Sequence, residues 1–319
     1  MMDWTDRHCR YFHRLLNPNA LLYTEMVTTG ALIHGDTERF LRYNSEEHPV
    51  ALQLGGSHPD DLARCAVLAQ EYGYDEVNIN CGCPSDRVQN GAFGACLMRS
   101  PDMVAESVRA MKSACDIPVT VKCRIGVDDQ DEYADLQRFT EAVAAENVDS
   151  LCVHARKAWL KGLSPKENRD VPPLNYERVY QLKRDFPKLE ITINGGIDNI
   201  DSIATQLEQT DGVMIGRAAY HNPWLLVKVD TEVFHNQANV SSPTDAVESM
   251  YPYIEYQLNQ GERLSSITRH MLGIFQGRPG TKKFKRYISE NAFKKEAGLD
   301  VLKRALEQMH TETHFVAHS

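Results

Sequence analysis

A (β/α)8 barrel followed by an all-α helical domain is the fold this sequence predicts. Between Leu21 and Ile215, seven short runs rich in β-branched residues alternate with helical stretches, and such alternation makes a parallel sheet. No G-x-G-x-x-G follows an early strand, which disfavours the competing open dinucleotide-binding sheet. After about Phe234 the strand pattern stops. HNQANVSSP is a polar linker, and Gly261, Gly277-Arg278-Pro279-Gly280 and Gly298 separate the helical runs beyond it. The expected division is a barrel over residues 1–235 and a helical domain over 236–319.

The elements follow in order. An amphipathic helix is expected from about Thr5 to Leu16 and a first strand from Leu21 to Glu25. Val50 to Leu54 is the second strand, closed by Gly55-Gly56, with a helix near Pro59 to Tyr72. Glu76 to Asn80 alternates polar and apolar residues, which is strand spacing. A helix from Pro101 to Ala114 leads to a strand from Pro118 to Cys123, and one from Glu132 to Glu146 to a strand from Ser150 to His154. A long loop, residues 155–173, precedes a helix near Asn175 to Asp185. Glu190 to Asn194 ends in Gly195-Gly196, Ile200 to Leu207 is helical, and Gly212 to Ile215 ends in Gly216-Arg217. An eighth strand is missing, and its natural place is before residue 1. In the tail, helices are expected from Asp245 to Asn259, Ser265 to Phe275, Lys282 to Asn291 and Asp300 to Met309.

A chain of 319 residues, 42% hydrophobic and 25% charged, buries a large core and has ordinary globular composition. No apolar run is long enough to span a membrane. The opening MMDWTDRHCRYFHR lacks a signal peptide's apolar core. Eight cysteines, at positions 9, 65, 81, 83, 96, 115, 123 and 152, show no scaffold spacing, which fits reduced thiols in the cytoplasm. The net charge of −9 hides an asymmetry: residues 262–305 carry a net +7 and the remainder −16. A lysine-rich helical tail is usually a solvated face; the functional alternative is a local site for phosphates on an otherwise repelling body.

The chemistry is organised around residues 76–98. Gly82 permits a sharp backbone turn and Pro84 stops the strand, so Cys83 is presented on a loop at a strand's end. Gly91 and Gly94 keep the next segment able to approach a ligand. In a barrel of parallel strands, the C-terminal strand ends carry the active site. A thiol there can be nucleophile, metal ligand or proton donor. The plain alternative is a small buried hydrophobe, as most free cysteines are. No second Cys/His pair with zinc spacing lies nearby.

The other strand ends add Gln53, Asn80, Lys122, His154 with Arg156, Asn194-Gly195-Gly196 and Gly216-Arg217. Each has a dull explanation by itself. Matching places on successive strands would make them converge on one mouth. Gly195, Gly196, Gly216 and Arg217 suit a phosphate, since late strands of such barrels bind phosphate through backbone N–H groups. Lys122 favours negative charge on a cofactor ring, His154 can hydrogen-bond it, and Gln53 offers both donor and acceptor. A flavin mononucleotide (FMN) meets these demands.

Nine stretches resemble the tRNA-dihydrouridine synthases, A subfamily: MDWTDRHCRYF, YTEMVTTGA, HPVALQLGG, NINCGCPSDRVQNGAFGACLM, VTVKCRIG, VHARKAWLKGLSPKENR, INGGI, MIGRAAYHNPW and ITRHMLGIFQGRPG. The resemblance runs from Met1 to about residue 295. It implies a flavin-binding barrel plus a four-helix domain, and reduction of the uracil C5–C6 bond of tRNA D-loop uridines at tRNA positions 20 and 20a. It further implies NADPH as reductant of FMN, hydride delivery to C6, and Cys83 as proton donor to C5. Gln53, Lys122, His154, Asn194 to Gly196, Gly216 and Arg217 fall where the family holds FMN. Met1 and Met2 fall at the end of its first strand, whose backbone lies against the flavin. Asn80 falls where the family touches the target nucleotide. Arg156, Lys166 and Arg169, with Lys282, Lys285 and Arg286 in the tail, are the expected tRNA contacts; no metal, membrane or obligate protein partner is implied. Cys81 stands where relatives often carry an aliphatic residue and reads as packing. Two other functions remain open on the residues alone: a flavin oxidoreductase of a free pyrimidine, and a non-catalytic tRNA-binding protein.

Overall fold

The computed structural model describes residues 1–85 and 93–310. Gly91, expected in the loose segment after Cys83, lies outside the described residues. All seven expected strands form: β1 (Leu22–Thr28), β2 (Val50–Gly55), β3 (Glu76–Asn80), β4 (Val119–Arg124), β5 (Ser150–His154), β6 (Glu190–Asn194) and β7 (Gly212–Met214). They make one sheet in sequence order, every neighbouring pair parallel. Parallel neighbours require a crossover. The helices Pro59–Glu71, Pro101–Ala114, Tyr133–Ala145, Tyr176–Asp185 and Ile200–Leu207 supply the crossovers from β2 to β7. Between β1 and β2 run two short helices the sequence did not signal, Thr29–His34 and Thr37–Leu41. The sheet is the wall of a TIM-type barrel.

The two faces of the wall differ in chemistry. Val77, Ile79, Val119, Val121, Leu151, Val153, Ile191 and Ile193 are fully buried, each worth roughly 1.5–3 kcal/mol of removal from water. The alternate positions on β3 are Glu76, Asn78 and Asn80, and these are buried too. Period-two alternation here therefore marks a polar interior rather than a solvated face.

Contacts divide the chain into two compact units: Met1–Asp3 with Leu21–Gly216, and Trp4–Ala20 with the chain from Arg217 onward. The sequence places the single boundary at 235/236. The contact division differs in two places: it falls after Gly216, and the first helix, Arg7–Leu16, belongs to the second unit. Its N-cap Asp6 accepts the N–H groups of His8 and Cys9, both at 3.0 Å. The same carboxylate pairs with Arg269 at 2.5 Å and His270 at 3.0 Å. Arg7 donates to Gln257 at 3.0 Å and Glu262 at 2.7 Å, and Tyr11 stacks on Tyr253 at 3.8 Å.

The tail helix expected over Asp245 to Asn259 is two helices, Pro243–Glu248 and Tyr251–Asn259. Pro252 explains the break: it has no N–H, and its ring clashes with the carbonyl four residues back. Among the described residues no helix is long and apolar enough to cross a membrane.

Candidate functional site

Strand register sets the strand-end residues in two rows, two residues apart along β4. Asn80 pairs with Lys122, Arg124 with His154, His154 with Asn194, and Asn194 with Met214. Cys83 follows Asn80 by three residues, and its loop stays on β4: the Cys81 N–H donates to the Lys122 carbonyl at 2.7 Å.

A line of hydrogen bonds runs through the polar interior to Cys83. Tyr23 and Thr120 both donate to Glu76 Oε1, at 2.6 and 2.5 Å. Asn78 donates to Thr120 Oγ1 at 2.8 Å and accepts from Gln53 Nε2 at 3.0 Å. Gln53 Oε1 accepts from Asn80 Nδ2 at 2.8 Å. Asn80 Oδ1 in turn accepts the backbone N–H groups of Gly82 and Cys83, both at 3.0 Å. Burial pushes the Glu76 carboxyl up, against the opposing hydrogen bonds from Thr120 and Tyr23. Gln53 and Asn80 each keep a second amide hydrogen that this line does not use.

The thiol of Cys83 is half-buried and lies 3.5 Å from Ser85 Oγ. Its carbonyl accepts the Ala95 N–H at 2.9 Å, and the Gly82 carbonyl accepts from Arg124 Nε at 2.8 Å. Cys81 is fully buried, and burial pushes its thiol well up. No group of three or more His, Cys, Asp or Glu suited to a metal occurs among the described residues.

Between the two rows, Lys122 Nζ donates to Asn194 Oδ1 at 3.3 Å, and within the second Asn194 Nδ2 donates to the Met214 carbonyl at 2.7 Å. Gly195 and Gly196 have φ of 116° and 70°, the left-handed region that side chains avoid. A Cβ at Gly195 would stand 3.3 Å from the His154 ring, so the glycine turn and that imidazole lie against each other. Met1 Sδ lies beside Gly216, 3.9 Å from where a Cβ would be, whereas Met2 is 51% exposed. Arg217 opens the helix Arg217–His221, the first of the second unit's C-terminal part.

Residues 155–173 form a loop held by arginines. Arg156 donates to the carbonyls of Asp170 and Pro172, so part of this expected tRNA contact is spent on its own loop. Asn168, fully buried, donates to the Trp159 carbonyl at 2.9 Å and accepts the Trp159 N–H at 2.7 Å. Lys166 is exposed and Arg169 half-buried. Arg124 Nη1 donates to the carbonyls of Asn168 and Lys157, at 2.9 and 3.1 Å. Arg124 and Asn168 are absent from the sequence-derived set. The available signal for Arg124 was period two along β4, which puts Thr120, Lys122 and Arg124 on one face.

In the second unit, Thr281–Asn291 buries Phe284 and Ile288 at helical spacing and leaves Lys282 and Arg286 exposed, with Lys285 half-buried. Arg286 pairs with Glu290 at 2.7 Å.

The donor set tests well against a phosphate-bearing planar cofactor. A lysine ammonium, an imidazole and a glutamine amide lie on the strand ends with a left-handed glycine turn against the imidazole. That turn admits backbone N–H groups to an anion.

Comparison with known proteins gives a concordant result. A family model described as dihydrouridine synthase (Dus) matches residues 1–312. The chain is 60% identical over 310 residues to a tRNA-dihydrouridine(20/20a) synthase of Vibrio cholerae, covering 97% of this chain and 94% of that one. It is 59% identical over 308 residues to the protein of the same name in Escherichia coli K12, covering 96% and 89%. A third, from Shewanella oneidensis, is 59% identical over 312 residues, covering 98% and 93%.

Proposed function

This chain belongs to the dihydrouridine synthase family, and on that premise we propose that it reduces uridines 20 and 20a of tRNA to dihydrouridine, with FMN as cofactor and NADPH as reductant. The observation that carries this reading is the line from Gln53 through Asn80 to the Cys83 N–H, which ties the backbone of a half-buried cysteine to Asn80, the strand-end residue whose register partner is Lys122.

When bound, FMN supplies the hydride for uracil C6. Cys83 holds a proton on Sγ and gives it to C5: the S–H bond breaks, a C–H bond forms, and the thiolate regains a proton from water. Asn80, with one amide hydrogen unused among the described residues, orients the base through a uracil carbonyl. Gln53 likewise has, among the described residues, one amide hydrogen left that would serve the flavin's imide edge. Lys122 places positive charge where negative charge develops on the ring. His154, Asn194, the Gly195-Gly196 turn, Gly216 and Arg217 hold the cofactor's polar and phosphate groups, and Met1 flanks it beside Gly216. Exposed Lys166 and half-buried Arg169 meet the tRNA around the target. Lys282, Lys285 and Arg286 meet its backbone elsewhere. Unstacking the target uridine costs a few kcal/mol, which these phosphate contacts offset. The eight cysteines are all free thiols, which supports a reducing cytoplasmic setting.

The test is direct. Purified protein is incubated with FMN, NADPH and an unmodified tRNA transcript, and dihydrouridine is mapped by position. Product at 20 and 20a supports the reading; turnover of free uridine with none on tRNA would replace it with a small-molecule reductase.

A further inference from the structure

We infer that Arg124 is a positioning residue that clamps the loop carrying Cys83 to the loop carrying Arg169, so that the acid and the nucleotide-binding arginine keep one fixed relation. The inference rests on the tRNA reduction proposed above. Arg124 ends β4 and is 4% exposed. Its guanidinium makes no ion pair with a carboxylate among the described residues; its side-chain acceptors are three backbone carbonyls, those of Gly82, Lys157 and Asn168. Burial pushes its pKa down to about 10, so it remains charged at neutral pH. A buried charge is costly unless its donors find acceptors, and carbonyls on two loops far apart in sequence take three of the five donors of this one.

The choice of carbonyls matters. Gly82 immediately precedes Cys83, and Asn168 immediately precedes Arg169. The Gly82–Cys83 peptide is held at both ends: its N–H goes to Asn80 at 3.0 Å and its C=O to Arg124 at 2.8 Å. The Asn168–Arg169 peptide is held the same way, its N–H to the Lys166 carbonyl at 3.0 Å and its C=O to Arg124 at 2.9 Å. A peptide plane pinned on both sides fixes the N–Cα bond about which the next side chain is carried. The planar fork of a guanidinium serves both loops at once, and a lysine ammonium on a flexible stem does not.

The test uses the full flavin-loaded protein and its Arg124→Lys variant. Amide-resolved hydrogen exchange without tRNA should show the amides of residues 82–83 and of 168–170 exchanging at least about tenfold faster in the variant, from the lost charged hydrogen bonds. Exchange in β5 and β6 should be unchanged. Flavin reduction by NADPH should stay within about twofold of wild type. Single-turnover formation of dihydrouridine should fall about 100-fold, the scale set by small misplacement of reacting groups. Unchanged exchange in either loop would overturn the clamp. Should the variant not fold, wild-type exchange in low urea decides: Cys83 and Arg169 amides opening together support the clamp, and separate openings overturn it. Because exchange is read without tRNA, a wild-type protein inactive on tRNA would sink the proposed function and leave this result standing.

Discussion

Asn80 holds Cys83 by its backbone: the Asn80 side-chain oxygen accepts the Cys83 N–H at 3.0 Å while the amide nitrogen donates to Gln53 at 2.8 Å. One side chain thus joins the expected acid to an expected flavin contact. Asn80→Ala removes both links while keeping Cys83 itself. Turnover on tRNA should fall about 100-fold, and stability should fall by roughly 1–3 kcal/mol because buried partners lose their bonds. Kinetics on tRNA together with urea unfolding check both; a variant as active as wild type would remove Asn80 from the site.

Glu76 anchors the far end of the same line. Burial raises its pKa in the fold, so its contribution is fully present below the unfolded carboxylate range and is lost as pH rises through the folded value. Glu76→Gln keeps an acceptor for Tyr23 and Thr120 without the charge. Urea midpoints measured across pH should show wild type losing ground to the glutamine variant as pH rises.

Two buried histidines give the second unit the opposite dependence. Burial pushes His8 down to about 4 and His13 down to about 3. Both stay neutral when folded, whereas the unfolded chain takes up protons below about 6.5. Stability should therefore be full above about pH 6.5 and fall as pH drops towards those folded values. His13→Gln should flatten that slope in thermal melts between about pH 6 and 4; an unchanged slope would contradict it.

Tail lysines should act through salt-sensitive phosphate contacts. Lys282→Ala should weaken tRNA binding and reduce the log–log salt slope by roughly 0.7–0.9. Flavin content should be unaffected. Arg286→Ala should do less, because Arg286 is already paired with Glu290. Fluorescence titrations across a salt series read both.

The strands were legible because each is short, β-branched and closed by a turn residue; β3, β5 and β6 have the expected bounds. Their C-terminal ends were legible for the same reason, since a register-matched parallel sheet brings strand ends to one side. Arg124 was not, because VKCR read as a strand closing at Cys123 left it in the loop, whereas it still pairs with His154. The first helix's place in the second unit was equally hidden. Its partners Gln257, Glu262, Arg269 and His270 lie some 250 residues away, and no local pattern reports such pairs. Trp224–Glu232 is not marked in the sequence because its apolar and polar residues are interspersed around the helix, without the separate faces that mark a surface helix.

The most direct measurement is single-turnover dihydrouridine formation by flavin-loaded, pre-reduced Cys83→Ala protein on unmodified tRNA. A fall of about 10²- to 10⁴-fold, with flavin content and tRNA affinity kept, is the outcome expected of a lost general acid. Wild-type rates from that variant would contradict it and remove the thiol from the reaction.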